Sequence, residues 1–377
     1  YREGGVLDLQ LAMKQLQLAS IEPFSLGYLK DTEGYLQGNL NMVGTIDAPR
    51  IDGEVNFRET ALSISLLGSR YRLNDQSIRF NGKTMVFDQF TLLDENDNSA
   101  TLDGRVVLNS LEEIQLDLKA RTKDFLAVNS TEKDNDLFYG YLRVDADVTI
   151  NGTAAEPRLI VDAAPSSESN LTYAYSAGDQ ARLETTQGVI TFAETYEWEE
   201  VIANEQRDTL AKTGTGAYLE TNLQINEKLR IRVIVDPITQ QEFSGRGSGA
   251  ITFIQYPTGQ QQLTGQIKMA GGSYDMVLEG LQTYTFDLKA GSEVVFTGNP
   301  TNPQFDLTIT NTIKTSPMSL VSSVTPDATG ETGLRQRQTF LVSLDLKGDL
   351  EGMDINADIL YPEDIYGNQN LDAVNTA

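Results

Sequence analysis

Leu219-Glu-Thr-Asn-Leu-Gln-Ile-Asn-Glu-Lys-Leu-Arg-Ile-Arg-Val-Ile-Val-Asp236 decides the fold. Leu219, Thr221, Leu223 and Ile225 alternate with Glu, Asn and Gln, and the pattern resumes at Leu229, Ile231, Val233 and Val235. Side chains of a β-strand point alternately to its two faces, so a period of two means one apolar and one wet face. Such strands belong to an antiparallel meander.

The same period runs through the chain. Leu7, Leu9, Leu11 and Met13 alternate with polar residues, then slip by one position to Leu16 and Leu18, as a β-bulge would produce. It recurs at Leu40–Met42, Val55–Phe57, Ile114–Leu118, Leu142–Val148, Ile251–Phe253 and Tyr274–Leu278. It returns at Tyr284–Leu288, Phe305–Ile309, Phe340–Leu346 and Ile355–Ile359. Turn pairs such as Asn81–Gly82, Asp103–Gly104, Asn151–Gly152 and Gly271–Gly272 stand between. At about 12 residues per strand and turn, about 30 strands are expected, and ~4.8 Å between strands gives a sheet of ~140 Å. Two stretches break the pattern. Glu194–Lys212, holding Trp198, reads as a short helix or insertion, and Ser316–Gln338 as a long loop.

A weak repeat punctuates the chain. Gly44-Thr-Ile-Asp-Ala-Pro49-Arg and Gly152-Thr-Ala-Ala-Glu-Pro157-Arg share one pattern, Gly298 to Pro303 keeps its core, and Gly348 to Met353 keeps its spacing. A strand ends at glycine, a short turn follows, and proline blocks further pairing before the next strand.

Composition excludes whole classes of chemistry. With 29 basic and 54 acidic residues the net charge is −25, which repels nucleic-acid phosphates. Histidine and cysteine are absent, removing the commonest general base, thiol nucleophile and zinc ligands. The expectation is a non-enzyme with no cofactor and no metal. Asp94-Glu-Asn-Asp-Asn98 begins like a calcium loop but has Ser99 and Arg105 where glycine and glutamate are needed, so it reads as a solvated hairpin turn. Gly245-Arg-Gly-Ser-Gly249 precedes a strand pattern, whereas a phosphate cradle needs a helix, so tight hairpin geometry is expected there. Carboxylate pairs and tyrosines such as Tyr71, Tyr139 and Tyr141 are too evenly spread to mark a sugar site. No stretch approaches the roughly 18 apolar residues of a membrane helix. The chain opens at Tyr1 without a leader, so targeting or anchoring segments are expected outside it.

Several segments resemble the C-terminal part of the TamB family, AsmA-like envelope proteins of Gram-negative bacteria. They are Gly34–Gly53, Leu219–Asp236, the Gly247–Ile251 run, Gly271–Tyr274, Gly291–Pro300 and Leu360-Tyr-Pro-Glu-Asp-Ile-Tyr-Gly367, the last in a Bacteroidetes style. The resemblance covers nearly the whole chain and is most specific over residues 219–367. It implies an all-β, elongated, U-shaped antiparallel sheet (a β-taco) with a continuous apolar groove, running through residues 1–377 as one segment of a longer chain. It further implies a periplasmic scaffold anchored to the inner membrane through segments outside this chain, reaching an Omp85-type outer-membrane barrel, and serving phospholipid transport or outer-membrane protein assembly. The groove would take phospholipid acyl chains on Leu219, Leu223, Ile225, Leu229, Ile231, Val233, Val235, Ile251, Phe253, Met276, Leu278, Phe286, Leu288, Phe305, Leu307, Val342 and Leu344, a lining without polar landmarks. Tandem sandwiches, which close after roughly 100 residues, are the alternative fold. A surface or secreted adhesin-like protein is the alternative function.

Overall fold

The period-two segments pair with one another along the chain. The computed structural model describes residues 6–25, 27, 29–45, 48–65, 67–73, 75–110, 113–134, 138–174, 216–236, 241–278, 282–300, 302–316, 337–349 and 352–360. Its first strands are β1 (Val6–Gln17), β2 (Leu29–Thr45), β3 (Ala48–Ile64), β4 (Ser69–Leu73), β5 (Ser77–Asn81), β6 (Thr84–Leu93) and β7 (Ser99–Leu108). Next come β8 (Ile114–Ser130), β9 (Phe138–Thr153), β10 (Pro157–Pro165), β11 (Ser169–Ala174), β12 (Tyr218–Ile225), β13 (Leu229–Asp236) and β14 (Gln241–Gln255). The last are β15 (Gln261–Leu278), β16 (Gln282–Leu288), β17 (Glu293–Gly298), β18 (Gln304–Thr315), β19 (Gln338–Gly348) and β20 (Met353–Leu360).

All twenty belong to one sheet, with hydrogen-bonded ladders from β1 through to β20. The fold is all-β, and no described residue is in an α-helix. Tandem sealed sandwiches are ruled out by that continuity. Among the described residues the sheet has twenty strands where ~30 were expected of the whole chain, and several are long: β2, β3 and β8 have 17 residues each and β15 has 18. Four rungs are strands broken in two (β4/β5, β10/β11, β12/β13, β16/β17), so sixteen rungs span about 70 Å at ~4.8 Å each. Pairing is also not antiparallel throughout. β10 runs parallel to β12, and β11 parallel to β13. A parallel step needs a long connection, and residues 175–217 provide one. Glu194–Lys212 lies outside the described residues, as do residues 317–336 of the expected loop, while Gln338 already begins β19.

The glycine–proline motif does punctuate hairpins, but Pro49 and Pro157 join the next strand, where they were expected to block pairing ahead of it. Gly44 pairs with Pro49, Gly152 with Pro157 and Gly348 with Met353, and all three glycines have positive φ, from 91° to 112°. The next residue caps the turn: Thr45 Oγ1 accepts from Ala48 N–H, and Thr153 Oγ1 from Glu156 N–H. Asp349 Oδ1 accepts from Gly352 N–H in the same way.

The sheet is creased. Left-handed Asp31, Glu59, Asp75, Gln89 and Asp124 mark bulges or breaks in β2, β3, between β4 and β5, in β6 and in β8. A second line runs from the β8 bulge through the gaps Ser166–Glu168 and Asn226–Lys228. It continues through the β14–β15 register shift at Arg246/Gly247 to Lys289–Ser292. Each interruption bends its strand and sharpens the local twist. Interruptions aligned across neighbouring rungs add into a fold line along the sheet, which a flat sheet of this length would lack.

Close approach of β2 to β3 depends on glycine. Gly53 has φ +139°, and a Cβ there would overlap the Asn39 carbonyl oxygen; Gly38 stands in the same relation to Glu54. Gly53→Ala is therefore expected to destabilise by more than about 2 kcal/mol. The check is a lower urea midpoint with an unchanged slope. A wild-type midpoint would mean that these strands do not approach so closely.

Candidate functional site

The candidate site is the apolar face. Its largest cluster joins Ile225, Ile267, Met269, Phe286, Leu288 and Ile309, all buried, and packs half-buried Leu223, Ile231, Phe243, Ile251, Leu307 and Leu344 around them. Register explains the convergence. Ala163 stands opposite Leu223, Leu223 opposite Ile251, Ile309 opposite Leu344 and Leu307 opposite Leu346. Two further clusters continue the face toward β1: Leu18, Leu36 and Val55, then Leu73, Ile78 and Phe90, which share Phe57 and Phe80 as neighbours. Buried Val106, Leu118, Val144 and Ala146 bridge from these to β10. At the two outer strands the stripe is open, with Leu9 52% and Ile355 60% exposed.

The structure places the sequence-predicted lining residues as follows. Ile225, Leu229, Phe286 and Leu288 are buried. Leu219, Leu223, Ile231, Val233, Ile251, Phe253, Phe305, Leu307, Val342 and Leu344 are half-buried. Val235, Met276 and Leu278 belong to β13 and β15, but their side chains lie outside the described residues. Leu223, Ile225, Ile231, Ile251, Phe286, Leu288, Leu307 and Leu344 meet in one cluster, whereas Leu219, Leu229, Val233, Phe253, Phe305 and Val342 stand beyond it. Sequence reasoning missed Ile267, Met269 and Phe243. The signal existed in Ile267–Lys268–Met269, but flanking glycines hid it.

The Gly245–Gly249 run does not form the hairpin expected of it. Gly245, Gly247 and Gly249 lie mid-strand in β14, on the face of Phe243 and Ile251. A Cβ at Gly245 would lie 2.7 Å from the Met269 methyl and 3.0 Å from the Phe243 ring. The bare backbone gives these two side chains their room.

The opposite face is wet and ion-paired. Arg79–Asp88, Arg105–Asp117, Arg121–Asp147 and Arg232–Glu242 bridge neighbouring strands there, all with well-exposed groups except the half-buried Glu242. Exposed pairs add little energy, but they favour one register.

One ionic cluster is buried. β6 and β7 end at the Asp94–Asn98 hairpin, while β8 runs on past them. Asp94 is not solvated: its side chain is 0% exposed. Its carboxylate accepts from the N–H groups of Asn96, Asn98 and Leu126 at 2.8–2.9 Å, and Arg143 lies 3.5 Å away. The edge groups that β7 leaves unpaired on β8 find other partners. Tyr71 Oη donates to the Leu126 and Ala127 carbonyls, and Asn129 N–H donates to the Leu67 carbonyl. The Tyr71 ring stacks on Phe125 at 5.1 Å, and burial pushes its hydroxyl up to about 12. The Arg143 side chain, 7% exposed, also pairs with Asp124 at 3.2 Å. Hydrogen bonds from Arg143, then Ser166 and Ser167, hold the Asp124 carboxyl down at about 2. Burial alone would lower the Arg143 guanidinium, but Asp124 and Tyr141 more than offset it and raise it. Arg143 sits between Leu142 and Val144 in an unbroken strand, so it leaves the sheet on the face away from Val144. The cluster lies outside the apolar face.

Among the described residues no group of three acidic side chains is placed to hold a metal ion, and no helix is long and apolar enough to cross a membrane. A comparison with curated proteins gave no match. A family model for the TamB C-terminal domain matches residues 88–359, from within β6 to within β20. That is well over half of the chain, and the protein belongs to the TamB family.

Proposed function

We propose that this chain is a stretch of periplasmic conduit in which the creased sheet shelters phospholipid acyl chains between the inner and outer membranes, docked to an Omp85-type barrel and anchored through other parts of the protein. The role is passage, without catalysis. One observation carries it: the ladders run from β1 to β20 without a break, three apolar clusters lie along that one sheet, and Arg143 of the buried ionic cluster alternates with inward Val144. Two acyl chains of about 16 carbons lose roughly 25 kcal/mol of stabilisation in water at ~0.8 kcal/mol per methylene. A trough of near-uniform aliphatic lining keeps the energy level along the path, where a deep pocket would trap the lipid. Membership in the TamB family supports the envelope setting.

A second reading, shelter for unfolded strands of outer-membrane proteins, is favoured by the open stripe on β20, where Ile355 is 60% exposed beside a strand edge with β19 as its partner. Photo-crosslinkers at half-buried Leu223, Val233 and Phe253 separate the two. The expected product is a phospholipid adduct, identified by mass spectrometry. Polypeptide adducts alone would transfer the case to the second reading, and no adduct at all three sites would end both.

A further inference from the structure

Basic side chains gather at one point of the wet face, on the second crease. Arg230 on β13 stands directly opposite Arg246 on β14, and Lys228 precedes β13 by one residue. Like charges in direct cross-strand register repel. The ion-paired counter-ion is Glu168, whose carboxylate is 2.6 Å from Arg246 and 71% exposed, while Glu227 on the cavity wall accepts from Arg246 through its backbone carbonyl and adds a second, weaker negative charge. Among the described residues Arg230 is in no ion pair. Between the arginines and β15 lies a cavity of about 250 Å³, lined by Glu227, Arg230, Gly245, Arg246, Ala270, Gly271 and Gly272. Three of these are glycines, so the floor is backbone. Open space remains above Gly271, where a Cβ would meet only the Leu288 carbonyl oxygen at 3.9 Å.

Two forked guanidinium groups over a bare backbone floor suit a tetrahedral oxyanion, because Arg donates paired hydrogen bonds to phosphate oxygens. The rest of the chain argues against casual anion binding, since −25 charges repel it. Arg246 and, more weakly, Arg230 and Lys228 hold the Glu168 carboxyl below its usual range, which is how a resident anion behaves in such a field. We infer that the Arg230–Arg246 cavity on the outer crease binds a phosphate group, which displaces the exposed Glu168 carboxylate. The phosphate could be free or the headgroup of a lipid; the recognition chemistry is the same. The site is separate from the apolar trough and stands or falls without it.

The test uses the whole folded chain. Inorganic phosphate is titrated by calorimetry, and vesicles of zwitterionic lipid, with and without phosphatidic acid, are used in flotation. Saturable phosphate binding is expected, weakened about tenfold or more by Arg230→Gln and by Arg246→Gln, as loss of one charge-assisted bond predicts. Glu168→Gln is expected to tighten binding severalfold, a gain that a purely structural role for the ion pair would not give. Arg79→Gln, in another outer-face ion pair, should leave it unchanged. Competition by phosphatidic acid vesicles would assign the site to lipid headgroups, and its absence to free phosphate. If Arg246→Gln fails to fold, unpaired Arg230 and exposed Glu168 still decide the matter. No saturable binding of either probe, or binding indifferent to Arg230→Gln, overturns the inference.

Discussion

Replacing Arg143 with alanine is expected to destabilise the sheet by about 3–5 kcal/mol, the cost of leaving a buried charge without its partner. Asp94, fully buried, would keep its backbone N–H donors but lose the cation 3.5 Å away, beside a second carboxylate on Asp124. The damage would spread, because Asp124 ties the β8 bulge to Ser166 and Ser167 in the gap between β10 and β11. Chemical denaturation checks the magnitude, and pH checks the cause. The Asp124 pKa is depressed in the folded state, so its contribution is present above the ordinary aspartate range and is lost as pH falls toward about 2. Arg143→Ala should flatten that acid slope. An equal slope in both proteins would show that the pair is not what depresses the carboxyl.

That cluster marks the limit of what the residues alone reveal. Alternation exposes strands because one face of the sheet is wet, and even the phase slip after Met13 reappears as the β1–β2 register shift between Met13 and Leu16. Arg143 occupies an outward phase and looks like any solvated residue; it is buried only because a hairpin tip from β6–β7 meets it. The crease was equally hidden. Asp31, Glu59, Asp75, Gln89 and Asp124 are polar residues in a chain rich in them, and nothing local distinguishes a left-handed bulge from a wet strand position. Gly245 to Gly249 misled for a related reason, since glycine density signals a turn unless the side chains across the sheet are known. The parallel step between β10 and β12 depends on where a long connection returns, which no periodicity records.

Ile251→Glu is expected to abolish lipid loading while leaving the sheet folded. Ile251 is half-buried on β14, paired with Leu223 on one side and Gly265 on the other, and packed against the largest apolar cluster. Its partial exposure lets a carboxylate reach water in the empty trough, so the loss of stability should be modest. A lipid passing that point would strip the carboxylate of water, at several kcal/mol. Since each 1.36 kcal/mol is tenfold in rate, passage should slow by at least about a hundredfold. Ala250→Glu is the matched control, one residue earlier and on the exposed face. Co-purified phospholipid, measured by mass spectrometry, should vanish from the first variant and persist in the second, with similar melting for both. If Ala250→Glu empties the protein just as completely, the cargo does not travel on the face defined by Leu223, Ile251 and Leu344. If Ile251→Glu stays loaded, the apolar face is a packing surface with no passenger.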